Sequence, residues 1–357
     1  MKHDALFEQI VSFKNLLHAS RKARKGKRGQ GNVGRFEVCL EKELLLLQQE
    51  LVTQAYTPGA YKEFYIYEPK KRMISAAPYR DRVVHHALCN VIVPIFERTF
   101  IYDTYANRTG KGTHKAIDRY QKFCRRTQYV LKCDIKKYFP SVDHEILKML
   151  VRKNISCSRT LELIDKIIDA SNKQEEAIEY FSEDDLFTPV TRRRGLPIGN
   201  LTSQFLANVY LNPLDHFVKE RLHCRRYVRY VDDFVLLSDD AKELWRWKHE
   251  TEQFLEHLRL RMHEGKSRVY RVTDGIEFLG HRIFPEFRLL KKKNIARFRR
   301  RLRKIHELYA KGRLSAQDIS CRIQSWVAHA RHSNTHRLRA SILEYAQFIR
   351  AEGNVSL

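Results

Sequence analysis

Three aspartates placed in short apolar runs limit what this chain can fold into. Asp134 ends the run Tyr129-Val130-Leu131-Lys132-Cys133-Asp134, with Ile135 following, and Asp232 and Asp233 sit inside Arg229-Tyr230-Val231-Asp232-Asp233-Phe234-Val235-Leu236-Leu237. Short runs rich in β-branched and aromatic residues read as strands, and the second reads as a hairpin with its carboxylates at the turn. Carboxylates in such settings are costly to bury unless cations neutralise them. Two strands presenting them side by side form a site for two divalent ions and in-line phosphoryl transfer, with Mg²⁺ expected and Mn²⁺ as a substitute.

Charge points to the same chemistry. The formal net charge is +25, from 67 Lys and Arg against 42 Asp and Glu. A chain this basic binds polyanions, and nucleic acid is the commonest one inside cells. Hydrophobic content of 43% and aromatic content of 11% fit a globular protein. No stretch approaches the ~18 uninterrupted apolar residues of a membrane span, and Met1-Lys2-His3-Asp4 opens no signal peptide. A soluble cytoplasmic protein with no membrane partner is expected. The seven cysteines are scattered without a Cys-x-x-Cys pair, which suits a reducing compartment and argues against a zinc ribbon. His85 and His86 read as helix-packing residues.

Residues 1–60 read as a helical extension interrupted by the basic, glycine-rich loop Arg21 to Gly31, with helical periodicity from Phe36 to Thr53. That loop suits RNA-backbone contact, although a nuclear-import signal would look the same. Residues 61–125 begin with a hairpin around a basic, Pro-containing turn and continue into a helix from Arg82 to Phe96 and another that Gly110-Lys111-Gly112-Thr113 opens and that runs through Tyr120. Residues 126–150 and 195–288 carry the strands with the aspartates, around a segment at 151–194. Glu145 to Ile178 is expected to be helical, and Glu183-Asp184-Asp185 to be a solvated loop. Helices are expected at Thr202–Glu220 and Leu244–Leu260, with strands near Val269 and across Ile276–Ile283. In residues 289–357, Ile295, Phe298, Leu302, Ile305 and Leu308 share one helix face. The other faces are basic, including Lys291, Lys292, Arg297 and Arg300, and suit the backbone of a duplex.

Two more runs stand beside the aspartates. In Asp134-Ile135-Lys136-Lys137-Tyr138-Phe139, the Ile135 carbonyl lies next to the first carboxylate, and the Phe139 ring can pack under an incoming sugar and clash with a 2′-hydroxyl. In Gly195-Leu196-Pro197-Ile198-Gly199-Asn200-Leu201-Thr202-Ser203-Gln204, two glycines before a helix let backbone amides approach a nucleotide closely.

These three runs, in this order, resemble the central motifs of reverse transcriptases. The resemblance covers most of the chain from about Tyr61. It implies an α+β right-hand polymerase: fingers at 61–125, a palm with an antiparallel sheet at 126–150 and 195–288, a fingers/palm insertion at 151–194, and a helical thumb at 289–357. It implies an RNA-directed DNA polymerase acting on template RNA, primer, RNA–DNA heteroduplex and dNTPs. Asp134 and Asp232 would bind two Mg²⁺, with Asp233 as ligand or electrostatic support. Lys71 and Arg72 would clamp the triphosphate, and Phe139, Ile198, Gly199 and Gln204 would line the nucleotide site. Lys266 resembles the lysine that aids protonation of departing pyrophosphate, and Phe278-Leu279-Gly280 resembles the primer grip.

Most reverse transcriptases carry Gln-Gly-x-x-x-Ser-Pro where this chain has Ile198-Gly199-Asn200-Leu201-Thr202-Ser203-Gln204. That substitution, with Ser325-Trp326-Val327-Ala328-His329-Ala330, resembles diversity-generating retroelement enzymes. It implies error-prone copying at adenines for mutagenic retrohoming in a bacterial or phage-infected host, with a small basic oligomeric accessory protein as partner. Ile198 and Gln204 would then weaken discrimination beside the nascent base pair by ~1–3 kcal/mol. Group II intron-like, retron and antiphage-defence enzymes would share the catalysis, and the short stretch beyond the palm speaks against a maturase domain. A non-catalytic RNA-binding scaffold would not need the three aspartates.

Overall fold

The computed structural model describes residues 6–27, 29–67, 71–172, 179–182, 184–344 and 348. In the N-terminal extension α1 (Phe7–Val11), α2 (Phe13–Ala23), α3 (Gly31–Val38) and α4 (Leu40–Val52) pack their apolar faces together. The expected Phe36–Thr53 helix is broken at Cys39, whose backbone leaves the helical region (φ −112°, ψ 33°). Arg21 to Ala23 of the basic run belong to the end of α2 rather than to the loop.

β1 (Lys62–Ile66) and β2 (Arg72–Ala76) form the expected antiparallel hairpin, whose tip at 68–70 lies outside the described residues. α5 (Tyr79–Glu97) buries its apolar stripe against α2 and carries His85 and His86 as expected. α6 (Thr113–Cys124) leads into β3 (Tyr129–Asp134).

One helix across Glu145–Ile178 is not what forms. The segment splits into α8 (His144–Arg152) and α9 (Ser158–Asp169), following the single turn α7 (Tyr138–Ser141); 173–178 lie outside the described residues. Ile155 and Cys157 are buried in the intervening corner. Asn154, Ser156 and Ser158 are the turn-forming residues that mark this break. The described part of the acidic patch is a loop with Asp185 exposed, as expected, but Asp184 is not solvated. The Asp184 side chain is 2% exposed and pairs with Arg192, while Asp185 accepts the backbone N–H groups of Phe187 and Thr188 around the short helix α10 (Thr188–Thr191). Glu183 is outside the described residues.

α11 (Leu201–His216) continues as a π turn through Arg221. The central sheet then forms from β4 (Tyr227–Tyr230), β5 (Asp233–Ser238), β3 and, after α12 (Ala241–His257), β6 (Arg268–Arg271). Its order is β4-β5-β3-β6 and every pairing is antiparallel. Successive side chains alternate between faces. Val130, Val228, Val235 and Leu237 pack with Ile117 and Tyr120 of α6. Leu131, Cys133, Tyr227, Phe234 and Leu236 join Leu244, Trp247 and Leu255 of α12 on the other face. Burial on both faces explains why these strands read as nearly continuous apolar runs.

The stretch Ile276–Ile283 is a hairpin rather than one strand. β7 (Ile276–Phe278) and β8 (His281–Ile283) are joined by Leu279 and Gly280, both at positive φ (47° and 87°), and β9 (Arg288–Leu290) completes a three-stranded sheet. The tail is helical as expected: α13 (Lys292–Ala310), α14 (Ala316–Ala330) and α15 (His336–Glu344). Phe298 and Leu302 of α13 meet Ile342, with Trp326 stacked on Phe298 at 3.9 Å between ring centroids.

Candidate active site

The register of β3 against β5 decides the site. Asp134 and Asp233 are direct cross-strand partners, so their side chains leave the same face of the sheet with Cβ atoms about 4.5–5.5 Å apart. Asp232 occupies the two-residue turn between β4 and β5, and Tyr230 pairs with Asp233 across it. The turn residue Val231 has φ 56°, a conformation that a β-branched residue adopts only under strain. The Ile135 N–H reaches the Asp232 carbonyl at 3.4 Å, tying the turn to the end of β3.

Like charges collected in this way raise one another's proton affinity. Burial, followed by the neighbouring Asp233 and Asp134, pushes the Asp232 carboxyl up to about 6, with Arg72 opposing. Burial also raises Asp233, against Lys132, Lys266 and Lys291. Lys266 Nζ donates to Asp134 Oδ1 at 2.7 Å. The expected residues Arg72, Lys266 and Lys291 thus all bear on this pocket, while Lys71 lies over the Tyr65 ring at 4.7 Å.

The donor set is carboxylate and carbonyl oxygen, the chemistry that hard divalent cations take. Among the described residues no three acidic, histidine or cysteine side chains converge tightly enough to cage an ion as they stand. Asp134 is engaged by Lys266 instead. Asp134, Asp232, Asp233 and the Ile135 carbonyl fit a divalent ion in kind, and an ion bound through Asp134 Oδ1 would compete with Lys266.

The other expected residues are spread over α7, the loop before α11, α11 itself, β7 and α13. Leu196 N–H donates to the Phe139 carbonyl (2.9 Å) and Gly195 N–H to the Val142 carbonyl (2.8 Å), which joins the second and third sequence runs edge to edge. The half-buried Phe139 ring packs edge-on to Tyr138. Ser75 N–H donates to the Ile198 carbonyl (3.0 Å), so the loop is also tied to β2. Gly199 (φ +117°) passes so close to β2 that a Cβ there would lie 2.9 Å from Ile74 Cγ2. Ile198 is half-buried and Gln204 exposed on the first turn of α11. Phe278 is buried against Tyr120, which leaves the Leu279-Gly280 turn as the accessible part of that run. Lys291 pairs with Glu277 at the base of α13. Lys292 and Arg300 are exposed, and Arg297 lines a cavity of about 770 Å³ between α13 and α14.

Sequence reasoning missed three buried polar residues. Asn200, 4% exposed, accepts from Ala77 N–H (3.1 Å) and donates to the Ser75 carbonyl (2.8 Å). Arg229 and Asp215 form an ion pair with both side chains fully buried. A charged residue inside the apolar strand Tyr227-Val228-Arg229 was the available signal for the latter.

Residues 63–283 match the family described as reverse transcriptase (RNA-dependent DNA polymerase). The chain belongs to the reverse transcriptase family. Its enzyme class is RNA-directed DNA polymerase, and the central antiparallel sheet with its flanking helices is the α+β, right-hand polymerase fold of that family. Protein YkfC of Escherichia coli (strain K12) is 29% identical over 289 residues, covering 70% of this chain and 73% of the relative. The group II intron-encoded protein LtrA of Lactococcus lactis subsp. cremoris is 22% identical over 309 residues, 68% of this chain and 50% of LtrA. The reverse transcriptase chain thus spans about half the length of LtrA. A telomerase from Candida Tropicalis in complex with a fragment of telomeric RNA superposes with a TM-score of 0.47 at 14% identity, over 69% of this chain and 48% of its own. No helix of the described residues is long and apolar enough to cross a membrane.

Proposed function

We propose that this reverse transcriptase copies an RNA template by two-metal nucleotidyl transfer centred on Asp134, Asp232 and Asp233, and that it serves a diversity-generating retroelement. The observation carrying the first part is the cross-strand pairing of Asp134 with Asp233, with Asp232 in the adjoining turn. Divalent cations held there would activate the primer 3′-hydroxyl and neutralise the departing pyrophosphate. The protein's own groups do the rest. Arg72, on the strand facing the turn, receives the triphosphate together with Lys71. Lys266 leaves Asp134 for the leaving phosphates and can deliver a proton to them. Phe139 and the Ile198–Gln204 loop set the fit of sugar and base, while the Leu279-Gly280 turn and Lys291, Lys292, Arg297 and Arg300 hold the primer–template duplex. Residues 61–125 act as fingers, 126–150 and 195–288 as palm, 151–194 as an insertion between them, and 289–357 as thumb.

The subgroup rests on the loop that carries Ile198 and Gln204. It entails adenine-directed errors, a template-repeat RNA and a small basic accessory protein as partner. A second reading, a group II intron-like enzyme, is favoured by the likeness to LtrA. Primer extension on RNA with Mg²⁺ and dNTPs tests the chemistry, and incorporation by Asp232→Ala would refute it. Sequencing the products separates the two readings. Errors concentrated opposite template adenines support the retroelement role, and an even spectrum supports the intron-like one.

A further inference from the structure

The turn that carries Asp232 is held from beneath by a group no sequence motif marks. Arg229 lies on β4, two residues before Val231, and heads the large side chains that are fully buried among the described residues. Its Nε and Nη2 donate to Asp215 Oδ1 and Oδ2, each at 2.6 Å, the two-pronged geometry in which a guanidinium is least free to rotate. Asp215 comes from α11, the helix opened by the Ile198–Asn200 loop, and its remaining acceptor capacity is filled by Tyr227 Oη and Thr104 Oγ1, both at 2.7 Å. Arg229 has one further nitrogen, Nη1. It donates to the Val231 carbonyl at 3.1 Å, with Asn208 Oδ1 at 3.4 Å as a weaker second acceptor.

The Val231 carbonyl belongs to the peptide plane immediately before Asp232, since the peptide group is rigid. The plane after Asp232 is fixed by the Ile135 N–H on the Asp232 carbonyl. Both planes flanking this carboxylate are therefore pinned, and the first is pinned by Arg229 in a turn whose Val231 sits at a strained positive φ. We infer that Arg229, locked by Asp215, is a positioning residue that sets the direction of the Asp232 carboxylate and couples it to α11. This rests on the polymerase reading of Asp232 given above.

The buried pair needs no ligand to be satisfied, so its function is exerted through the turn. Arg229→Lys keeps a positive charge beside Asp215 but cannot reach both Asp215 oxygens and the Val231 carbonyl. Asp215→Asn keeps the shape of the partner and loses the charge that locks the guanidinium. Misplacing a reacting group by about 1 Å can cost on the order of 100-fold in rate.

The experiment is single-turnover nucleotide incorporation on an RNA template across a Mg²⁺ titration, with the active fraction read from burst amplitude. Wild-type incorporation is required first; its absence would fail the polymerase reading and not this one. With a competent wild type, Arg229→Lys and Asp215→Asn are expected to slow the chemical step about 100-fold. They should also shift the Mg²⁺ midpoint upward while leaving dNTP and primer–template affinities unchanged. A normal rate per active site in either variant overturns the inference, as does a loss accounted for entirely by fewer active molecules. Should Arg229→Lys fail to fold, Asp215→Asn decides by the same rate criterion.

Discussion

Removing the Asn200 side chain should loosen the joint between β2 and the loop before α11. Asn is a common helix N-cap, yet here it makes no capping bond to α11. Its amide is turned to β2, accepting from Ala77 N–H and donating to the Ser75 carbonyl. Asn200→Ala leaves both backbone groups without that partner in a buried setting. At about 1–3 kcal/mol for each unsatisfied group, the loss is about 2–6 kcal/mol, toward the lower end if water enters. Against a typical total stability of about 5–15 kcal/mol, that is a large shift in the urea midpoint. β2 begins at Arg72, so the dNTP KM should rise as well. Asn200→Asp supplies a sharper test. Protonated, it can still donate to the Ser75 carbonyl; ionised, it sets a buried charge against that oxygen and the Pro197 carbonyl, which lies 3.4 Å from the present amide nitrogen. Its folded pKa would lie above the unfolded ~3.9, so its stability is greatest at low pH and falls as pH rises from about 4 toward the folded value. An unchanged urea midpoint in Asn200→Ala, or a flat pH response in Asn200→Asp relative to wild type, would refute the reasoning.

Asp134→Asn or Asp232→Asn should abolish incorporation while leaving primer–template binding within a fewfold in a filter-binding assay, since the basic surfaces lie elsewhere; equal loss of both would implicate folding. Ile198→Gln should change misincorporation opposite adenine in a sequenced extension product, and an identical spectrum removes the loop as the source of infidelity. Four imidazoles meet where α6, β8 and α14 come together: His114 stacks on His332 at 3.3 Å between centroids, and His281 lies 4.9 Å from His329. Burial and then the neighbouring cations and imidazoles hold His281 down at about 4, and His114 and His329 are also lowered. Arg288 adds positive charge there, Asp118 opposes it for His114, and Ser333 Oγ bonds His281 Nδ1. A folded pKa below the unfolded ~6.5 means that the contact is at full strength above that value and weakens as pH falls from about 6.5 toward 4. Amide exchange in α14 should therefore quicken over that window, and pH-independent protection (after correction for intrinsic rates) would exclude the effect.

The aspartate-bearing strands were legible because their information is local. The nearly continuous apolar runs Tyr129–Asp134 and Asp233–Ser238 mark buried strands, and the two-residue turn between Tyr230 and Asp233 fixes the register of β4 on β5. The basic face of α13 was legible for the same reason. Groups whose partners lie far along the chain were not. Asn200 reaches Ser75 across 125 positions, and Asp215 accepts from Thr104 across 111. Phe278 shows a different limit. The run Phe278-Leu279-Gly280 was legible as strand, but only the fold shows that it turns into a hairpin and that its aromatic ring packs beside Tyr120.

These distant partners share a physical role. Three carboxylates at one end of the central strands repel one another, and the chain offsets that repulsion with cations drawn from separate segments: Arg72 on β2, Lys132 on β3, Lys266 before β6 and Lys291 before α13. Lys266 makes direct contact with Asp134, where an incoming divalent ion would compete for the same oxygen. The buried Arg229–Asp215 pair instead meets the backbone, and so holds the turn whether or not an ion is bound. Exchangeable charge thus faces the reaction space, and fixed charge lies beneath it. On the proposed two-metal reading, a site built in this way would keep its carboxylates together without permanently filling the positions an ion would take.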